Sequence, residues 1–209
     1  MKKRFIYLLV LVVLVSCSKK LFSEKWTKQE APEEFKARFE TTQGNFDIIS
    51  KREWSPEGVD RLYTLIKRGF YDDIAVFRVV PNFVAQFGIH DNDEVNKSWD
   101  SYKLNDEPVV LKNDSLTISF ARGGRRTRGT QIFINLKDNN RLDDISSGGV
   151  VGFPAIAKIT SGMDNVLKFY GKYGDKLGRR QDSIHKYGNA FIRKNYPEID
   201  FIKKAYIIK

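Results

Sequence analysis

The side chains that most often carry chemistry are scarce in this 209-residue sequence, which holds one cysteine, Cys17, and two histidines, His90 and His185. The histidines lie too far apart for an HxxxH pair, and a lone cysteine builds neither a CxxC redox couple nor a zinc knuckle. Neither histidine has a Ser–Asp partner by motif, because no GxSxG is present; both read as structural. Gly123–Gly124 lacks the spacing of a phosphate-cradling loop. The adjacent aspartates Asp72–Asp73 and Asp143–Asp144 have the character of solvated turns rather than of a glycosidase pair. Nucleophilic, metal and phosphoryl chemistry therefore lack their usual parts, and no cofactor is expected. What remains is a set of Arg, Gln and Phe side chains borne by short apolar segments.

The elements that must position such a set begin after an unusual N-terminus. Lys2–Lys3–Arg4 is followed by an unbroken apolar run of eleven residues, Phe5 to Val15. As a helix that run spans roughly 16 Å at ~1.5 Å per residue, about half of a ~30 Å hydrocarbon core. This is the length of a signal-peptide h-region rather than of a membrane span. Leu14–Val15–Ser16–Cys17 resembles the bacterial lipobox. The resemblance implies removal of residues 1–16 as a signal peptide and lipidation of Cys17. It further implies a lipid anchor in the cell envelope, on the periplasmic side of an outer membrane where one exists. Cleavage removes three cations and takes the formal net charge from +10 to +7. Residues 17–33, with four lysines and no periodic apolar face, read as a lipidated N-terminus and tether. The basic run Arg122–Arg128 could be taken for a nucleic-acid patch, but an exported lipoprotein meets little nucleic acid, and none is expected as a partner.

Residues 34–209 read as one domain, with 41% hydrophobic residues in the whole chain to supply a core. Phe35, Ala37, Phe39 and Thr41 alternate with polar residues, Gln43–Gly44–Asn45 turns, and residues 46–51 return as a second strand. Ser55–Pro56 has the form of an N-cap and first helical residue, Val59, Leu62, Tyr63 and Ile66 follow at helical spacing, and Gly69 ends the helix. Short strands are predicted over 76–80, 83–87, 115–121, 131–136, 156–160 and 201–208, with a second helix over 162–170. Many short strands with two helices point to an antiparallel sheet closed into a barrel or sandwich.

The stretch FYDDIAVFRVVPNFVAQFG, residues 70–88, resembles the cyclophilin signature F-Y-D-x-x-x-F-H-R-V-I-P-x-F-x-x-Q-G-G. Residues 116–135, LTISFARGGRRTRGTQIFIN, resemble the second cyclophilin block, NNRLD at 139–143 its asparagine-to-leucine-aspartate turn, and residues 150–164 its strand and Gly-Met helix step. The resemblance runs in order from residue 34 to about 170. It implies a mainly β fold, a closed eight-stranded antiparallel barrel capped by two α-helices. It also implies peptidyl-prolyl cis–trans isomerase activity on proline-containing polypeptides. Arg78 and Gln86 take the catalytic positions, and Phe83, Val84, Phe133 and Leu142 the pocket that grips proline. Ala121, Arg122 and Gln131 would hold the preceding residue extended, and Phe153 would stand at the rim.

The sequence departs from the pattern at several points. Phe77 replaces the histidine before the arginine, Arg141 stands where tryptophan often precedes Leu-Asp, and Phe153 aligns with a rim histidine. Arg122, Arg125, Arg126 and Arg128 replace small and polar rim residues, which implies a basic rim favouring anionic substrate segments. The 89–110 loop is long, and residues 171–200 form an insertion before the last strand. Two functions are compatible with these features. One is an isomerase, working as a monomer, that assists folding of exported proteins at the envelope. The other is a catalytically inactive cyclophilin-like module that binds proline-containing segments.

Overall fold

The computed structural model describes residues 20–209; the apolar run, Ser16 and Cys17 lie outside the described residues. The strands are β1 (Glu34–Thr41), β2 (Gly44–Lys51), β3 (Ile74–Ala75), β4 (Arg78–Val80), β5 (Val84–Phe87), β6 (Thr117–Phe120), β7 (Ile132–Asn135), β8 (Ser146–Ser147), β9 (Val150–Val151), β10 (Ala155–Ser161) and β11 (Phe201–Ile208). The α-helices are α1 (Pro56–Arg68), α2 (Asp93–Asp100), α3 (Arg141–Asp144), α4 (Met163–Leu167) and α5 (Gln181–Asn195). Nine strands form one antiparallel sheet in the order β3-β11-β1-β2-β10-β6-β7-β5-β4, and β8 pairs with β9 separately.

The expected closed eight-stranded barrel is corrected on two counts. The sheet has nine strands, and its pairing is open: β3 and β4 are its two edges. These edges are consecutive in the chain, separated only by Val76 and Phe77, so the curled sheet is bridged by covalent backbone rather than by a ladder. Register shifts at Glu40/Thr41 in β1 and at two points in β10 mark bulges, which sharpen the local twist and help the sheet curl. The two-helix expectation is also corrected, since five α-helices occur among the described residues. Of these, α2 lies in the long 89–110 loop and α5 in the 171–200 insertion, while the helix expected over 162–170 is confined to Met163–Leu167.

The period-two pattern of β1 places Phe35, Ala37, Phe39 and Thr41 inward, and Phe39 stacks on Phe46 of β2 at 4.9 Å. On β11 the alternation fails, because Phe201 and Ile202 are both buried. Ile202 joins the main core, while Phe201 faces a second apolar cluster with Ala75, Phe77, Leu177, Ile184 and Ile192. That cluster fastens the insertion onto the outside of the sheet. Residues 21–31 also lie on the domain rather than hanging free of it. Phe22 and Trp26 pack against the core, Leu21 accepts from Trp99 Nε1, and Ala31 N donates to Asp60.

Ser55 occupies the N-cap of α1, but its side chain accepts no cap hydrogen bond. Glu107 supplies the cap from the 89–110 loop, accepting from the backbone N–H of Glu57 and Gly58 at 2.9 and 3.2 Å and from the Ser55 hydroxyl. The same carboxylate pairs at 2.8 Å with Arg128, whose side chain is 1% exposed. An uncompensated buried guanidinium is costly, so Glu107→Ala is expected to lower unfolding free energy by about 3–5 kcal/mol, measured by denaturant titration.

Candidate active site

Three adjacent strands build the site by register. Arg78 of β4 stands directly opposite Gln86 of β5, and Gln86 directly opposite Phe133 of β7. Directly paired residues project on one face, so strand pairing alone sets arginine, glutamine and phenylalanine in a row. Their chain neighbours Val79, Ala85, Ile132 and Ile134 point the other way, into the main core. The row therefore lies on the outer face of the curled sheet.

Beside it Val84, Phe133 and Leu142 are buried together, with Phe83, Ala121 and Phe153 partly buried against them. With Arg78, Gln86 and Arg122 these residues line a cavity of about 210 Å³. Phe133 and Phe153 meet edge to face at 5.8 Å. A buried polar network holds the walls from behind. Asn113 Nδ2 donates to Asp143 Oδ1 and to the Phe153 carbonyl, both at 2.7 Å, while Asn139 Nδ2 donates to the Phe83 carbonyl at 2.8 Å. Asp143 is thus a half-buried helical residue that accepts from the fully buried Asn113, which corrects its reading as a solvated turn residue, while its neighbour Asp144 is exposed. Gly152 permits the approach of Phe153: at φ +69°, a Cβ there would lie 2.3 Å from the Asp143 carbonyl oxygen.

Arg78 forms the polar lip of this cavity, with its side chain 25% exposed. Its Nε donates to Asp175 Oδ1 at 2.5 Å and its Nη1 to Gln86 Oε1 at 3.3 Å. Gln86 Nε2 donates in turn to Gln131 Oε1 at 2.9 Å, and Gln131 Nε2 to Gln181 Oε1 at 3.0 Å. Nη2 of Arg78 has no hydrogen-bond partner among the described residues. The geometry provides a fixed guanidinium donor beside an apolar, aromatic-walled hollow, suited to a ligand with a small apolar ring next to a polar group.

The structure brings all ten sequence-predicted site residues of the domain together: Arg78, Gln86, Phe83, Val84, Ala121, Arg122, Phe133, Leu142 and Phe153 line the hollow, and Gln131 joins through its bond to Gln86. A second, polar cavity of about 350 Å³ shares Gln86, Ala121 and Arg122 and is bounded further by α2 and α5. The anticipated basic rim needs correction. Arg128 is buried with Glu107, and Arg122 lies 4.3 Å over the Phe153 ring while donating to the carbonyls of Gly152, Ser147 and Val150. Burial lowers Arg122 below the ordinary guanidinium value, with Asp106 acting in the opposite direction. Arg125 and Arg126 remain exposed, and Arg141 lies 4.9 Å over Phe83. His90 accepts a hydrogen bond from Asn92 N, and burial lowers its pKa below the ordinary imidazole value. Asp175 and Gln181 were not anticipated; they sit in the insertion, where nothing in their type or spacing marks them.

The curled antiparallel sheet with its helices is a cyclophilin-like fold. The chain belongs to the family described as cyclophilin type peptidyl-prolyl cis-trans isomerase/CLD, whose profile matches residues 36–187. Peptidyl-prolyl cis-trans isomerase B of Escherichia coli is 30% identical over 148 residues, covering 69% of this chain and 89% of that protein. A peptidyl-prolyl cis-trans isomerase of Acinetobacter baylyi is 30% identical over 143 residues, covering 68% and 75%. Isomerase A of Dickeya dadantii is 28% identical over 143 residues, covering 68% and 74%. The crystal structure of a cyclophilin type isomerase from Cryptosporidium parvum superposes with a TM-score of 0.61 at 17% identity, covering 84% of this chain and 98% of that one, a likeness of fold.

Proposed function

We propose that this chain is a lipid-anchored prolyl isomerase that assists folding of exported proteins at the cell envelope, acting as a monomer on proline-containing segments. The observation that carries the catalytic part is Arg78, held at the lip of the apolar hollow with one guanidinium nitrogen, Nη2, that has no hydrogen-bond partner among the described residues.

Rotation about a prolyl peptide bond faces a barrier of ~18–20 kcal/mol, because amide resonance must be lost on the way. No covalent bond breaks, so acceleration requires only tighter binding of the twisted amide than of either planar form. The proline ring seats on Phe83, Val84, Phe133 and Leu142, with Phe153 as the rim. Arg78 donates to the prolyl nitrogen, whose lone pair is released as the amide twists, or to the adjoining carbonyl. A charge-assisted hydrogen bond made only in the twisted state is worth roughly 1.5–3 kcal/mol, or about 10–100-fold in rate. Displacement of water and the shape of the hollow supply the remainder. The absence of a nucleophile or metal motif in the sequence is compatible with this chemistry.

The envelope location rests on the lipobox-like sequence at Cys17 and the short apolar run before it. More than one acyl chain is needed for stable anchoring, as a diacylglyceryl group would provide.

In a protease-coupled assay on a succinyl-Ala-Xaa-Pro-Phe peptide, Arg78→Ala is expected to lower kcat/KM by at least about tenfold, and Phe133→Ala chiefly to raise KM. Wild-type activity no higher than that of Arg78→Ala would support the binding-module reading instead. For location, Cys17→Ser is expected to move the protein from the membrane to the soluble fraction and to abolish incorporation of labelled fatty acid. A chain that stays membrane-bound and unlabelled in both forms would contradict the anchor.

A further inference from the structure

The arginine at the pocket lip is held by the insertion as well as by the sheet. We infer that Asp175 is a positioning residue for prolyl isomerisation, fixing the Arg78 guanidinium at the lip of the hollow where it meets the substrate; this rests on the isomerase reading above. The contact is direct, Arg78 Nε to Asp175 Oδ1 at 2.5 Å. The partners' side chains are 25% and 44% exposed, and ion pairs in that range add little to stability, so the effect of the contact lies in orientation. A guanidinium is planar, so a contact at Nε fixes the plane in which its terminal nitrogens lie, with Nη2 on the same edge as Nε and Nη1 on the other. Of these, Nη1 meets Gln86 and Nη2 is the one without a protein partner among the described residues.

Asp175 is itself fixed from both sides. On one side, Gly174 makes an isolated bridge to Val79, the residue after Arg78. On the other, Leu177 is fully buried in the cluster built on Phe77, the residue before Arg78. Gly178 then lies against the arginine stem, since a Cβ there would sit 3.1 Å from Arg78 Cδ. The second hold runs through side-chain amides. Beginning at the cation, Gln86, Gln131 and Gln181 each present an oxygen to the preceding donor, so the chain of hydrogen bonds has one polarity and ends in the same insertion. The insertion thus grips the arginine at Nε directly and at Nη1 through a relay.

The test measures kcat and KM separately for Asp175→Asn, Asp175→Ala and Asp175→Glu, with melting temperature as the control for folding. Asn and Ala are expected to lower kcat roughly tenfold with KM changed by less than about twofold, and Glu to restore part of the loss. In an Arg78→Ala background, Asp175→Ala is expected to have no further effect, because its action passes through the arginine. Unchanged kcat would overturn the inference. So would a rise in kcat, which would make the pair a brake, or an equal loss in the Arg78→Ala background. The Nε–H resonance of Arg78 gives a reading independent of activity. It is expected to exchange slowly with water in the wild type and rapidly in Asp175→Ala, and insensitivity to the substitution would also overturn the inference. A wild type with no isomerase activity but an Asp175-dependent resonance would defeat the functional reading while the positioning contact stood.

Discussion

The constraint on which this structure turns is that a guanidinium must stay oriented and partly withdrawn from water at the edge of an apolar hollow. In the proposed reaction, a freely rotating arginine would lose conformational entropy on each encounter with the twisted amide, and one fully buried could not meet substrate. Arg78 occupies the middle ground. Strand pairing fixes its backbone opposite Gln86, the hollow lies beside it, and its polar edge is engaged by Asp175 and Gln86. The curled sheet, the amide relay and the buried asparagines behind Phe83 and Phe153 all limit the freedom of groups around that one charge.

Phe77 shows how a family departure and an insertion belong together. The cyclophilin pattern puts histidine at this position, and here phenylalanine is buried with Leu177, Ile184 and Ile192. An apolar side chain on the outer face of the sheet gives residues 171–195 a surface to pack on, and it lies immediately before Arg78 in sequence. The helix laid there is not regular. Gly188, at φ +60°, interrupts α5 where a Cβ would strike Asp91, and Asn189 N then donates to the Asp91 carboxylate at 2.6 Å. Anchoring the insertion and reaching the strand edge that carries Arg78 are therefore parts of one packing arrangement.

Much of this was legible in the sequence, because it depends on local pattern. The alternation of Phe35, Ala37 and Phe39 appears as β1, and the spacing of Arg78, Gln86 and Phe133 follows from short strands in an order the family resemblance supplied. What escaped depends on residues distant in sequence. Ser55 is the N-cap residue of α1 as its sequence form indicates, but the side chain that accepts from the first N–H groups is that of Glu107, and Arg128 looks like a surface cation until Glu107 is found beside it. Phe22 and Trp26 read as tether residues because their apolar partners lie far downstream. Asp175 and Gln181 are ordinary polar residues in a Gly- and Lys-rich stretch until folding brings them to the arginine. Barrel closure was anticipated from the family, whereas the pairing leaves β3 and β4 as edges joined through Val76 and Phe77.

This chain lowers the barrier to rotation about a prolyl bond, and exchange spectroscopy observes that rotation at equilibrium without a coupling protease. A proline-containing peptide with resolved cis and trans resonances interconverts unaided over about tens to hundreds of seconds. With substoichiometric protein the two resonances are predicted to exchange orders of magnitude faster, in proportion to the protein added. Exchange that stays at the unaided rate while the peptide resonances shift on binding would contradict the account and leave a module that binds proline without turning it.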